Sequence, residues 1–264
     1  MKVTITQIDT ACLLIDINGF KILTDPAFDE AGSKYLRADG KTYLHKTGSP
    51  AIASEELGPI DLVLLSHHQH KDNLDNSGLA FIKTVPGVIS TKEAVEQLQL
   101  DNVYSLEEWE SLEVEADTVE ELTITATPCQ HASTKEVSAK MGHVIGFIIE
   151  WKAQENGVLY ISGDTVLFEG VRDVAERFLV NTAIVNVGKA GIPASTGDVY
   201  YTFTADEAIE VAEMMHVDHL IPTHWEGWDH FQEKSQQAMN HFAKSLIAEK
   251  VIKLEPGKAV EIDI

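Results

Sequence analysis

Apolar and polar positions along the chain mark a series of short strands before any side-chain chemistry is considered. Val3 and Ile5 sit two apart, and residues 12–15 and 21–24 are β-rich, with Asn18-Gly19 as a tight turn between them. From about residue 25 to 59 the pattern dissolves. Gly32, Gly40, Gly48 and Pro50 punctuate this stretch, with Tyr35, Arg37, Tyr43 and His45 between them. A loop of that length in a compact domain reads as a lid or binding loop. Residues 60–66 then form a continuous apolar run ending in Ser66, the mark of a buried strand. Further strands are expected at 88–89, 122–126, 144–150, 158–161, 183–187, 219–222 and 258–262.

Two capping boxes open helices. Ser90 and Glu93 precede Ala94, Val95 and Leu98; Thr204 and Glu207 precede Ala208, Val211, Ala212 and Met215 on one face. A last helix is expected around 232–249. No repeat and no Gly/Ser/Pro-rich linker divides the chain, so residues 1–264 are expected to form one domain.

The strands repeatedly end in residues that bind metals. The run at 60–66 leads into Ser66-His67-His68-Gln69-His70-Lys71-Asp72-Asn73. The later strands lead to His131, to Ser162-Gly163-Asp164 and to Thr223-His224. Neutral imidazole and carboxylate suit zinc, manganese and iron. In an extended segment His68 and His70 point the same way; in a helical turn His67 and His70 do. Spacing alone allows both. A lone histidine after a strand is usually structural, and Gly-Asp is usually a turn. Four such endings in order are far more specific, because loops at one sheet edge can bring them together.

These residues resemble the metallo-β-lactamase superfamily. Its His-x-His-x-Asp-His run appears as His68-Gln69-His70-Lys71-Asp72-Asn73, followed by His131, Asp164 and His224. Asp25-Pro26 after a strand and Trp225-Glu226-Gly227-Trp228 resemble the branch holding ascorbate-6-phosphate lactonase and the phospholipase D of N-acyl ethanolamine lipids. The resemblance covers nearly the whole chain. It implies an α+β fold, a four-layer αββα sandwich with the site along one edge. It also implies one or two divalent ions, foremost Zn2+, with Mn2+ or Fe2+ as alternatives.

The implied ligands are His67 or His68, His70, His131, Asp72, Asp164 and His224. Asp72 would orient or deprotonate the attacking water, or bind the second ion. The implied activity is hydrolysis of a small ester, lactone or phosphodiester by metal-bound hydroxide. Two departures bear on this. Asn73 stands where the family has a histidine of the second ion, and Ser66-His67 resembles the motif's usual start, so His67 rivals His68. A binding or scaffold member of the fold and an iron-dependent redox protein are the competing readings.

Charge narrows the partners. Twenty basic against 42 acidic residues give a net charge of −22. Such a surface repels nucleic acid and anionic membranes, and no window offers the roughly 20 apolar residues of a span. Two cysteines, Cys12 and Cys129, make no framework and read as small hydrophobes. With no apolar leader at residues 1–10, a cytoplasmic protein is expected. The family resemblance, and not the charge, implies a small, anionic, soluble substrate; homo-oligomerisation stays open. His230 is a candidate donor to an oxyanion, while Trp225, Trp228 and Phe231 fit a substrate wall or core packing equally well. Lys189 at a strand end reads as a solvated loop lysine.

Overall fold

A computed structural model describes residues 2–37 and 40–264. The strands, in chain order, are β1 (Lys2–Asp9), β2 (Cys12–Ile17), β3 (Phe20–Thr24), β4 (Lys34–Leu36), β5 (Tyr43–His45), β6 (Leu62–Leu64), β7 (Val88–Ser90), β8 (Val103–Ser105), β9 (Ser111–Glu113), β10 (Thr123–Pro128), β11 (Ile145–Glu150), β12 (Val158–Ile161), β13 (Val180–Asn186), β14 (His219–Thr223) and β15 (Ala259–Asp263). They form a seven-stranded sheet, β15-β1-β2-β3-β6-β7-β8, and a six-stranded sheet, β14-β13-β12-β11-β10-β9. In each sheet one half is antiparallel and the other parallel: β3, β6, β7 and β8 in the first, β12, β13 and β14 in the second.

The two-residue period of the strands sorts their side chains between two cores. Leu13, Ile15 and Ile17 of β2 meet Leu159 and Ile161 of β12 in the layer between the sheets. The alternate residues of β12, Val158 and Tyr160, face the other way. There they pack with Val171 and Val174 of α3 (Glu169–Arg177) and with Val211 and Met215 of α4 (Ala205–Met215). On the far side of the first sheet, Val63 and Leu65 pack with Leu79 of α1 (Asn76–Phe81) and Val95 of α2 (Lys92–Leu98). Helix, sheet, sheet, helix is the expected four-layer order. Each buried Leu or Ile contributes about 1.5–3 kcal/mol, so the three apolar layers dominate the stability.

Three local expectations change. The Ser90–Glu93 box is displaced by one residue: Ser90 is claimed by β7 through its pairing with Ser105, and Thr91 caps α2 by accepting from the Ala94 N–H. The helix expected at 232–249 is shorter. Helix α5 (Ser235–Phe242) ends where the Lys244 and Ser245 N–H groups turn back to the carbonyls three residues earlier. The irregular stretch 25–59 contains a hairpin, β4–β5, with Leu36 and Tyr43 paired and exposed at its tip.

This hairpin is tied to the floor below it. Lys46, fully buried, places its ammonium 2.5 Å from Asp9 Oδ2 and 3.4 Å from Asp75 Oδ2, over the Trp228 ring. Removing a charge from water costs several kcal/mol, and two carboxylates offset that here. Burial raises the Asp9 carboxyl above its usual value against the pull of Lys46. No helix among the described residues is long and apolar enough to cross a membrane.

Candidate metal centre

The parallel strands of both sheets end at the same edge, the usual place for a site in parallel sheets. β6 delivers His67 and His70, β12 delivers Asp164 and β14 delivers His224. His131 arrives from β10. After β6 the chain turns helically, with the Leu74 N–H donating to the His70 carbonyl at 3.0 Å. That turn chooses between the two spacings left open by the sequence, because residues three apart share a face. His67 Nε2 stands 3.0 Å from His70 Nδ1, and His131 Nε2 stands 2.9 Å from the same atom.

His68 is the residue this geometry leaves out. It is half-buried, belongs to neither ligand cluster, and has Glu93 and Lys71 as its charged neighbours. The His-x-His alignment that favoured it assumed an extended segment.

The first cluster fits a cation. His131 Nδ1 donates to the Tyr201 carbonyl at 3.0 Å, which leaves Nε2 bare in a neutral ring. The Ser66 hydroxyl donates to Asp25 Oδ2 at 2.9 Å, so it can only accept from His67 Nδ1, also 2.9 Å away. His67 Nε2 is then bare as well. One proton on His70 Nδ1 cannot serve both neighbours, whereas a cation serves all three lone pairs. Burial keeps these rings neutral: it pushes His70 and His131 down to about 4 and His67 well below its usual value.

The second cluster is Asp72, Asp164 and His224, all buried. His224 Nε2 lies 3.3 Å from Asp72 Oδ2 and 3.6 Å from Asp164 Oδ1, yet neither ring nitrogen of this buried residue makes a hydrogen bond. An orphaned imidazole between two carboxylates is itself a donor set for a divalent ion. Burial opposes charge on His224, but Asp164 and Asp72 outweigh it and lift the ring to about 9. Burial would raise Asp72, but the close His224 and His230 imidazoles hold it well below the carboxylate range. For Asp164 burial wins, and its carboxyl is raised.

Asp164 joins the clusters. Its Oδ2 is 3.9 Å from both His67 Nε2 and His131 Nε2, while its Oδ1 faces His224 and accepts from Asn186 at 2.7 Å. Two backbone features place these side chains. Gly163 has φ +60, and a Cβ there would meet the Ile145 carbonyl at 2.6 Å. His224 itself sits at φ 64, a conformation that costs a non-glycine residue about 1–2 kcal/mol. Its N–H bonds to the Thr10 carbonyl.

The remaining predicted residues divide. His230 reaches the second cluster, with Nε2 3.0 Å from Asp72 Oδ2. Phe231 packs on the rings of both His224 and His230, at 4.6 and 4.4 Å between centroids. Trp225 is core, packed on Phe242. Lys189 lies over the Tyr200 ring, away from the ligands. Cys12 is buried, whereas Cys129 is only half-buried, with its sulfur 3.2 Å from the Ser162 carbonyl. Asn73 is fully buried and gives its amide to Asp25 Oδ2 at 3.1 Å.

A cavity of about 420 Å³ opens onto His70, Asp72, His131, Asp164 and His230. Leu44, Met141, Ile192 and Tyr201 supply apolar wall, and Arg37, Lys71 and Lys140 supply cations. Tyr35 and Arg37 of the long loop line it, as a lid should; His45 does not. Of the wall cations, Arg37 lies in the loop that the sequence marks as a lid, and Lys71 adjoins the histidine run. Lys140 carried no positional signal, since it comes from an unrelated loop.

A family model described as "Beta-lactamase superfamily domain" matches residues 21–225. A UPF0173 metal-dependent hydrolase of Pyrococcus furiosus is 24% identical over 241 residues, covering 89% of this chain and 96% of that protein. The crystal structure of a possible metal-dependent hydrolase from Veillonella parvula has a TM-score of 0.83 at 21% identity, over 98% of this chain and 99% of that one. The structure of isothiocyanate hydrolase from Delia radicum gut bacteria has a TM-score of 0.80 at 21% identity, over 98% of both chains. The chain belongs to the beta-lactamase superfamily, and its sandwich is the metallo-β-lactamase fold.

Proposed function

We propose that this protein is a metal-dependent hydrolase cleaving a small ester, lactone or phosphodiester that carries an anionic group. The observation that carries the reading is Asp164, which faces both clusters of buried or half-buried imidazoles and carboxylates and, with His70, Asp72 and His131, lines one cavity. The names of the Pyrococcus furiosus and Veillonella parvula relatives point the same way.

His67, His70 and His131 would hold one ion; Asp72, Asp164 and His224 would hold a second. A bound divalent ion brings the pKa of its water to about 7 and polarises a carbonyl or phosphoryl oxygen; zinc fits this donor set, as do manganese and iron. Asp164 sets the spacing of the two clusters. Asp72, held anionic by two imidazoles, is a weak base, so orienting the water or ligating suits it better than removing a proton. Leu44, Met141 and Ile192 exclude solvent from one side of the substrate.

The anionic preference rests on contrast. The protein carries −22, yet three cations from three separate segments converge on this cavity, whose acidic lining among the described residues is Asp72 and Asp164. Their field favours a carboxylate or phosphate on the substrate.

Elemental analysis with a turnover panel tests the proposal. The panel is a lactone, a carboxylated ester and a phosphodiester, with an isothiocyanate added because one structural neighbour hydrolyses that class. Zinc or manganese at one or two ions per chain, with turnover abolished in Asp164→Ala, supports it. Turnover unchanged in that variant refutes it. Iron without hydrolysis favours redox chemistry, and no metal after reconstitution favours a scaffold.

A further inference from the structure

We infer that His230 is a ligand of the second ion, completing the donor set of Asp72, Asp164 and His224. This rests on the two-cluster reading above. Asp72 Oδ2 is flanked by two imidazole nitrogens: His224 Nε2 at 3.3 Å and His230 Nε2 at 3.0 Å. Donors bound about 2.0–2.1 Å from a tetrahedral zinc stand roughly 3.3 Å apart, so each spacing, taken as a pair, is that of two donors on one ion. Asp72 is the one member of the trio that His230 reaches, and its ring would have to close towards Asp164 and His224 to share their ion. The first cluster has the same edges, 2.9 and 3.0 Å. A proton and a cation are alternative bridges between such atoms.

His230 is built in rather than resting on the surface. Its side chain is 8% exposed, its ring packs on Phe231 and Trp228, and its Nδ1 is buried without a partner. It stands outside the compact trio and joins it through Asp72, on the side that lines the cavity. A ligand there would present the second ion to substrate.

The rival donor is Asn73, the next residue after Asp72. Its amide nitrogen is committed to Asp25 and its Oδ1 is buried without a partner. An amide oxygen is a poorer zinc donor than imidazole, and Asp25 holds Asn73 on the side of Ser66, behind His67. A histidine that follows Asp72 by 158 residues in sequence thus supplies what the adjoining position does not.

Metal counting decides the matter without any substrate. Protein stripped with chelator is titrated with Zn2+ and, separately, with Co2+, whose visible absorption reports the ligand field. Wild type is expected to take about two ions per chain, and His230→Ala and His230→Gln about one, with the cobalt band of the first cluster kept. Imidazole added to His230→Ala should restore the second ion. Asn73→Ala should still take two. Two ions in both His230 variants, or a second ion lost in Asn73→Ala alone, overturns the inference, as does a wild type that never exceeds one. Circular dichroism of each variant identifies misfolding, and the glutamine variant keeps the side-chain volume. Two ions that depend on His230 in a protein hydrolysing nothing would leave this inference standing and refute the hydrolase reading.

Discussion

Asp25 accepts hydrogen bonds from both the backbone N–H and the hydroxyl of Ser66, at 2.7 and 2.9 Å. Those two bonds dictate which way the Ser66 proton points, and so which nitrogen of His67 is free for a metal. Burial, reinforced by Asp164, lifts the Asp25 carboxyl to about 7 in spite of these donors. Asp25→Ala should release Ser66 and let the His67 ring change tautomer. Groups that orient a ligand in this way are worth about 10–100-fold in affinity. Zinc affinity of the first cluster should fall by that amount, read by competition with a chromophoric chelator.

His67 and His68 should separate cleanly. His67→Ala removes a buried donor from the first cluster, and zinc binding there should collapse. His68→Ala touches neither cluster and should leave zinc content and affinity at wild-type values. A loss in His68→Ala equal to that in His67→Ala would contradict the turn that sets the i, i+3 pairing.

Gly163→Ala tests the placement of Asp164. The new Cβ would press on the Ile145 carbonyl, and the residue would keep a positive φ. Such overpacking and strain cost about 1–3 kcal/mol. In a protein of this size that is a fall of roughly 2–12 °C in melting temperature, measured by calorimetry. Metal affinity should fall as well, because Asp164 moves with the turn.

Stability of the metal-free protein should depend on pH through His224. Its ring is lifted from 6.5 in the unfolded chain to about 9 in the fold. A raised value means the folded protein holds the proton more tightly, so this stabilisation is complete below pH 6.5 and is lost as pH rises towards 9. The swing is at most about 3 kcal/mol, from 1.36 kcal/mol per pH unit. Melting in chelator at pH 6.5 and pH 9 should show the loss. His224→Gln should remove it, and so should saturating zinc, which replaces the proton.

The wall cations should act on binding. Lys71→Ala and Lys140→Ala should raise KM for a carboxylated or phosphorylated substrate severalfold while kcat holds, the mark of an interaction made equally in ground and transition states. The uncharged isostere should show no change. Salt should weaken the preference in wild type, because both side chains are partly or fully solvated.

The sequence by itself determined the layers and the kind of chemistry. Strand identity is local: the β-rich run at 12–15 and the apolar run at 60–66 follow from each residue's own burial preference, and strand-end candidates such as Asp164 and His224 announce themselves by following such runs. Tertiary structure decided the rest. His67 displaced His68 because the chain after β6 turns helically and because His131 meets that face from another sheet. Ser90 lost its cap to Thr91 because β8 claims it by pairing. The partnership of His230 with Asp72, and of Asn73 with Asp25, links segments far apart in the chain. No local preference encodes such contacts; they form only when the packed sheets bring their edges together.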